Sequence, residues 1–240
     1  MITNKADKKR IHEHNPSGKY IKSFVYGGLD GIITTFAVVA GVTGASLNAS
    51  IVLILGFANL TADGISMAFG DYLSTKAEKE YGRAERKKEE KAVQSPKIEK
   101  KSLIKIFFDQ GFSRKDSESI AAVVCKNKKA CVDIMLSYEL GIGKRKQNPF
   151  KNALITFSSF VLFGFIPLIA YVFSKSVSIF QQDTFFIASV FTGLTLFLLG
   201  AVKCKVTGMN WIRSGAEMLL VGGLAAFAAY FIGYFISAII

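Results

Sequence analysis

Asp63, Met67 and Asp71 recur every four residues through the stretch NLTADGISMAFGDYL, among residues that are otherwise mostly apolar. Two carboxylates with a thioether midway between them make an oxygen–sulfur donor set. At 100° per residue, with Met67 at zero, a helix places Asp63 at about −40° and Asp71 at about +40°. No proline interrupts the sequence as far as residue 91. Carried that far, the same face takes Glu78, Glu85 and Glu89, all within about 40° of Met67. Lys76, Lys79, Arg83, Arg86, Lys87 and Lys91 fall at least about 100° away, and Lys88, at about −60°, is the nearest exception. One face is a ladder of oxygen ligands and the other is basic. Glu78, Glu85 and Glu89 also suit a solvated helix laced by i,i+4 ion pairs. The acids inside the apolar stretch do not, because a carboxylate there costs several kcal/mol unless partnered, and such acids usually line ion or proton paths.

A second acid stands in FVYGGLDGIITTF, where Asp30 is surrounded by Gly27, Gly28 and Gly31. The Gly27-xxx-Gly31 spacing lets another helix approach closely, a partner subunit's included, and could bring Met67 or Asp71 of that helix beside Asp30. Glu217 is a further acid in an apolar segment, with Arg213 available at i,i+4. Carboxylates with a thioether favour a divalent transition metal, since Mg²⁺ and Ca²⁺ gain nothing from sulfur. A path without His or Cys binds weakly and exchangeably, as transport requires. Carboxylates that take up metal shed protons, so metal–proton exchange is the natural mechanism. No Walker motif is present to couple ATP hydrolysis.

These residues need apolar helices to hold them. The chain has 240 residues, 50% hydrophobic, with a net charge of +12 and a mean hydropathy of +0.34. Basic and hydrophobic together point to a membrane protein with charge segregated into its loops, and not to a nucleic-acid binder. Stretches near 23–45, 49–73, 152–174, 184–202 and 212–240 reach the roughly 20 residues a bilayer crossing needs. The predicted fold is all-α: a polytopic membrane protein with five transmembrane helices and a cytosolic helical insert between the second and third. Its parts are a cytosolic tail over 1–22, helices one and two over 23–73, the insert over 74–147, and helices three to five over 148–240. Lys and Arg concentrate in the tail, the insert and the link near 203–213, which the positive-inside rule assigns to the cytosol. The C-terminus then lies on the far side.

Within the insert, LIKIFFDQGF, SRKDSESIAAVVCK and KKACVDIMLSYELGI each show helical spacing. Ser113 with Asp116 makes a capping box, and Gly111, Gly141 and Gly143 punctuate the ends. Cys125, Cys131 and Cys204 match no zinc spacing and read as packing residues, with His12 and His14 far off in the tail.

Four stretches, YGGLDGIITTFAVVAG, ADGISMAFGDYLS, FSSFVLFGFIPLIAYV and GAEMLLVGGLAAFAAYFIG, resemble the successive motifs of the vacuolar iron transporter family. The resemblance covers essentially residues 20–240. It implies a homodimeric antiporter that exchanges Fe²⁺ for protons and loads iron from the cytosol into a vacuole or other internal acidic compartment, for storage and detoxification. The family's path Asp and Met match Asp30 and Met67. Its acidic GEY-type turn corresponds to Gly70-Asp71-Tyr72, with Asp in place of Glu. Its insert binds metal through several Glu and a Met, which fall on Glu89, Glu99, Met135 and Glu139; two further acidic positions are Ala92 and Ser102 here, and Glu78 or Glu85 can compensate. Asp63 rests on the helical-face argument alone.

The chain is thus read as a transporter and not an enzyme. It has no permanently bound cofactor, with metal ions, protons, lipid and a second copy of itself as partners. Mn²⁺, Zn²⁺ and Co²⁺ fit the same donors, so an Mn²⁺ or broad divalent-metal transporter is the alternative, and a channel a further one. A membrane ferroxidase would want Glu-x-x-His pairs on two helices, and neither histidine lies in a helical pattern.

Overall fold

The structure, a computed structural model, describes residues 20–92, 96–138, 141, 148–177, 180–181 and 183–240, the side chains of 92, 96–99 and 205–207 excepted. The tail with His12 and His14, the side chain of Glu99 and all of Glu139 lie outside the described residues. Among the described residues every regular element is helical: α1 (Ile21–Gly44), α2 (Ala49–Ala92), α3 (Pro96–Asp109), α4 (Arg114–Val124), α5 (Lys128–Tyr138), α6 (Pro149–Gly164), α7 (Ile166–Phe173), α8 (Thr184–Thr207) and α9 (Trp211–Ile239). Helices α1, α2, α8 and α9 are long and apolar enough to cross a membrane. Helices α6 and α7 make a fifth crossing if they are one span, bent by 43°. The break falls where Pro167 enters the first turn of α7. Its ring displaces the carbonyl four residues back and it has no N–H to donate, so an unbroken third helix over 152–174 does not form.

Capping chemistry fixes several ends. Ser113 opens α4 by accepting from the Asp116 N–H, and its hydroxyl donates to the Asp116 carboxylate at 2.6 Å. Asn210 accepts from the Ile212 and Arg213 N–H groups at the start of α9. Gly208 closes α8 at a φ of 69°, a left-handed conformation that favours glycine.

The chain divides into two compact units. One takes residues up to Tyr72 and from Pro149 onward, and the other runs from Leu73 to Asn148. In the first, α1 packs mainly along α6 and α9, with α8 and α7 completing its surroundings. Ile32, Val39, Phe160, Leu168 and Leu196 are fully buried there, while Leu220, Leu224, Phe227 and Ile232 of α9 stay exposed as a lipid-facing helix requires. The Ser237 hydroxyl donates to the Ala45 carbonyl at 3.1 Å and ties the end of α9 to that of α1. In the second unit, α3, α4 and α5 close around Leu103, Ile106, Ala121, Cys131 and Met135.

Both close backbone crossings of α1 depend on glycine. A Cβ on Gly31 would collide with the Phe160 carbonyl of α6, and one on Gly233 of α9 with the Gly41 carbonyl of α1. Gly27 likewise faces the Thr156 carbonyl of α6, at 2.6 Å from an added Cβ. The helix that exploits the Gly27-xxx-Gly31 spacing is therefore α6 of the same chain. The expectation that these glycines admit a partner subunit is corrected: their small faces are already filled.

Gly31→Ala forces backbone apart and should lower stability by about 1–3 kcal/mol, read as a lower thermal midpoint of the detergent-solubilised protein. Gly223→Ala, where nothing lies within 4 Å, should leave the midpoint unchanged.

Candidate functional site

The membrane unit gathers its polar side chains along the facing sides of α1 and α2. On α1, Ser23, Asp30 and Thr34 lie within about 40° of one another at 100° per residue. On α2, Asn59, Asp63, Met67 and Asp71 succeed each other at four-residue steps. Asp30 is half-buried, and the Asp63 carboxylate acts on it electrostatically. The Thr34 hydroxyl donates to the Asp30 carbonyl at 2.8 Å and receives the Asn59 amide at 3.4 Å. Met67 is half-buried against the cluster built on Phe36, Val39, Leu60 and Phe160. Asp30 and Asp63 thus face one another from α1 and α2, and the Asn59–Thr34 bond joins the same two helices.

Asp71 is held differently. Its Oδ2 accepts the Ser23 hydroxyl of α1 at 2.8 Å and the Thr156 hydroxyl of α6 at 2.5 Å. Both donors are buried, at 6% and 1% exposure. Beside this point a groove of about 490 Å³ runs between α2 and α6, lined by residues such as Phe69, Tyr72, Phe150 and Phe157. Its lining is apolar and aromatic, with no carboxylate among the lining residues.

In the insert, Glu78 is exposed, while Glu85 and Glu89 are partly buried. The Lys88 ammonium donates to Glu85 at 2.6 Å. Arg86 bridges Asp133 of α5 and, at 3.5 Å, Glu90. Met135 lies in the core, 6% exposed, with the Cys131 sulfur 3.8 Å from its own. Among the described residues no three His, Cys, Asp or Glu side chains converge closely enough to hold a metal. The structure brings Asp30 and Asp63 within electrostatic reach of one another, packs Met67 against apolar residues and places Asp71 in a hydroxyl clamp. Among the described residues Glu78, Glu85 and Glu89 do not form one cluster of three carboxylates, and Glu99 and Glu139 carry no described side chain. Glu217 meets Arg213 at 3.6 Å with both exposed, an ordinary i,i+4 pair.

The family model of the VIT family matches residues 21–234, nearly the whole chain. The chain belongs to the VIT family. The vacuolar iron transporter of Toxoplasma gondii (strain ATCC 50861 / VEG) is 40% identical over 242 residues, covering 98% of this chain and 80% of that protein. The vacuolar iron transporter of Plasmodium falciparum (isolate 3D7) is 34% identical, covering 94% and 85%. Vacuolar iron transporter 1 of Arabidopsis thaliana is 31% identical, covering 91% and 86%.

Four polar residues of this VIT-family chain escaped the sequence reading: Ser23, Thr34, Asn59 and Thr156. Asn59 was within reach, since it continues the α2 stripe one turn before Asp63. Ser23 and Thr34 share the Asp30 face of α1. Thr156 offered no signal, because serine and threonine in apolar helices commonly donate to their own backbone four residues back.

Met135 serves packing whatever else it does. Met135→Ala should leave a cavity costing about 2–5 kcal/mol, whereas Met135→Leu conserves volume and should cost less than about 1.5 kcal/mol. Amide hydrogen exchange over residues 100–138 of the intact protein should accelerate in the first variant and stay near the parent in the second.

Proposed function

We propose that this VIT-family protein is an integral membrane transporter that moves Fe²⁺ from the cytosol into a vacuole-like acidic compartment in exchange for protons. The observation that carries this reading is the electrostatic pairing of Asp30 on α1 with Asp63 on α2 in apolar surroundings, with Met67 one turn further along the α2 stripe. Two carboxylates in such surroundings repel one another and lack water, and a cation or protons relieve both costs. The thioether favours a transition metal over Mg²⁺ or Ca²⁺. The relatives' names give iron as the cargo. The helix set suits five crossings, with α6 and α7 forming one bent span. The excess of Lys and Arg in residues 1–22 and 75–147 supports a cytosolic N-terminus and insert.

In this reading metal enters at Asp71, passes Met67 and is handed between Asp63 and Asp30. Each carboxylate releases a proton as metal arrives and regains one from the acidic side as it leaves. The working unit is a homodimer, and nothing beyond the transported ion is bound. Chemistry on the ion is no part of the cycle. The insert collects metal first, through Glu85 and Glu89 together with Glu78, Glu99, Met135 and Glu139.

Proteoliposomes acidified inside should take up Fe²⁺ while their interior pH rises, and Asp30→Ala should reduce both signals to background without loss of folding. Uptake that ignores the pH gradient would make the protein a channel. Uptake of Mn²⁺ in preference to Fe²⁺ would move it to the alternative cargo.

For the insert, equilibrium dialysis of the intact protein against Fe²⁺ or Co²⁺ should give binding that weakens in Glu89→Ala and in Met135→Leu. Unchanged binding in both variants would assign these glutamates to solvation of the helix.

A further inference from the structure

The contact of Asp71 with two hydroxyls from other helices has a shape that a structural tie does not need. Ser23 and Thr156 donate to the same oxygen, Oδ2, from α1 and α6. Helices α1 and α6 are already locked together by the Gly27 and Gly31 crossings, so the clamp adds only the attachment of α2 to that pair. Burying a carboxylate and two hydroxyls is, moreover, a poor way to hold helices compared with apolar packing of the same volume. Asp71 also lies one turn beyond Met67 on α2, hence on the stripe itself.

We infer that Ser23 and Thr156 are competing donors: they occupy the Asp71 carboxylate between transport events and speed the departure of a cation that has bound there. The inference rests on the proposal that the chain carries a divalent metal past Asp71.

A cation taking this carboxylate through both oxygens must displace two hydroxyl hydrogens from Oδ2. Hydrogen bonds to charged groups are among the stronger ones in proteins, so their loss subtracts from metal affinity. When the cation moves on, the hydroxyls close on Oδ2 again and the carboxylate is not left bare among apolar helices. Binding at this level is thereby kept weak, the condition for passage through a path of successive sites. The sign of the effect follows. Without the hydroxyls the metal binds Asp71 more tightly and leaves it more slowly.

The test uses the intact protein in proteoliposomes, with Fe²⁺ and Co²⁺ as probes. Ser23→Ala with Thr156→Val should lower the apparent KM for uptake by about an order of magnitude, the equivalent of one hydrogen bond to a charged group, and lower Vmax with it. Adding Asp71→Asn should abolish the gain in affinity, and using Thr156→Ser in the double variant in place of Thr156→Val should raise KM part of the way back. A structural tie predicts lower Vmax at unchanged KM. Hydroxyls that aim the carboxylate at the metal predict a higher KM. Either result overturns the inference. Equilibrium binding of Co²⁺ to the solubilised protein, as the difference between the double variant and the triple variant with Asp71→Asn, gives the same answer without transport. Absence of uptake by the parent would sink the transport reading, and the binding difference would still decide the role of the hydroxyls. Should the double variant fail to fold, Ser23→Ala alone should show the same direction at smaller size.

Discussion

A carboxylate lodged among apolar helices is stable only where polar groups meet it, and that requirement shapes the membrane unit. Serine and threonine have short side chains, so Ser23 and Thr156 reach the same Asp71 oxygen only if α1 and α6 lie close together. Gly27 and Gly31 remove the side chains that would hold α1 and α6 apart. Ser23 and Thr156 then converge on one oxygen of α2. The glycine crossings and the hydroxyl clamp are thus two halves of one arrangement: close backbones permit short donors, and short donors satisfy the acid. A similar logic holds about three turns away, where Asn59 and Thr34 bond across α2 and α1 near Asp30 and Asp63.

The insert is organised by a different balance. Its core is apolar and sulfur-rich around Cys131 and Met135, and Glu80, Glu85 and Glu90 of α2 pair with Lys76, Lys88 and Arg86 of the same helix. Lys88 sits on Glu85, with the lysine largely exposed. Exposed ion pairs of this kind contribute about 0–1 kcal/mol. The Arg86–Asp133 pair is better sheltered and links α2 to α5, so it carries more of the burden of holding those two helices in register.

Much of this was legible in the sequence, for reasons that differ by element. Long apolar runs announce helices because backbone groups in hydrocarbon have no other partner, and α1, α8 and α9 sit close to where hydropathy places them. Ser113 and Asp116 announce a helix start through local bonding alone. The uninterrupted α2 follows from the absence of proline as far as Ala92. What stayed hidden depends on which helix meets which. Nothing in Gly27-xxx-Gly31 says that α6 is its occupant. Pro167 was in plain view, yet prolines are common in membrane helices, and only the surrounding packing decides whether one becomes a 43° bend. Met135 could be read as ligand or core from spacing alone, and its burial beside Leu103 and Ala121 supplies the second role. Thr156 becomes meaningful only once Asp71, 85 residues away in sequence, is seen to accept its hydrogen bond.

The position of α1 has a consequence for biosynthesis. This helix finds its neighbours late, because α6 begins at Pro149 and α9 at Trp211, and the Ala45 carbonyl meets a hydroxyl 192 residues further along. At a translation rate of about 5–20 residues per second, α1 waits on the order of 10–40 s between its own emergence and that of its last partner. During that interval Asp30, Ser23 and the bare glycine faces are in the bilayer or its insertion machinery without the helices that cover them. Final assembly of the membrane unit is therefore a post-insertion event, and the polar face of α1 is the part of the nascent protein most in need of a temporary escort.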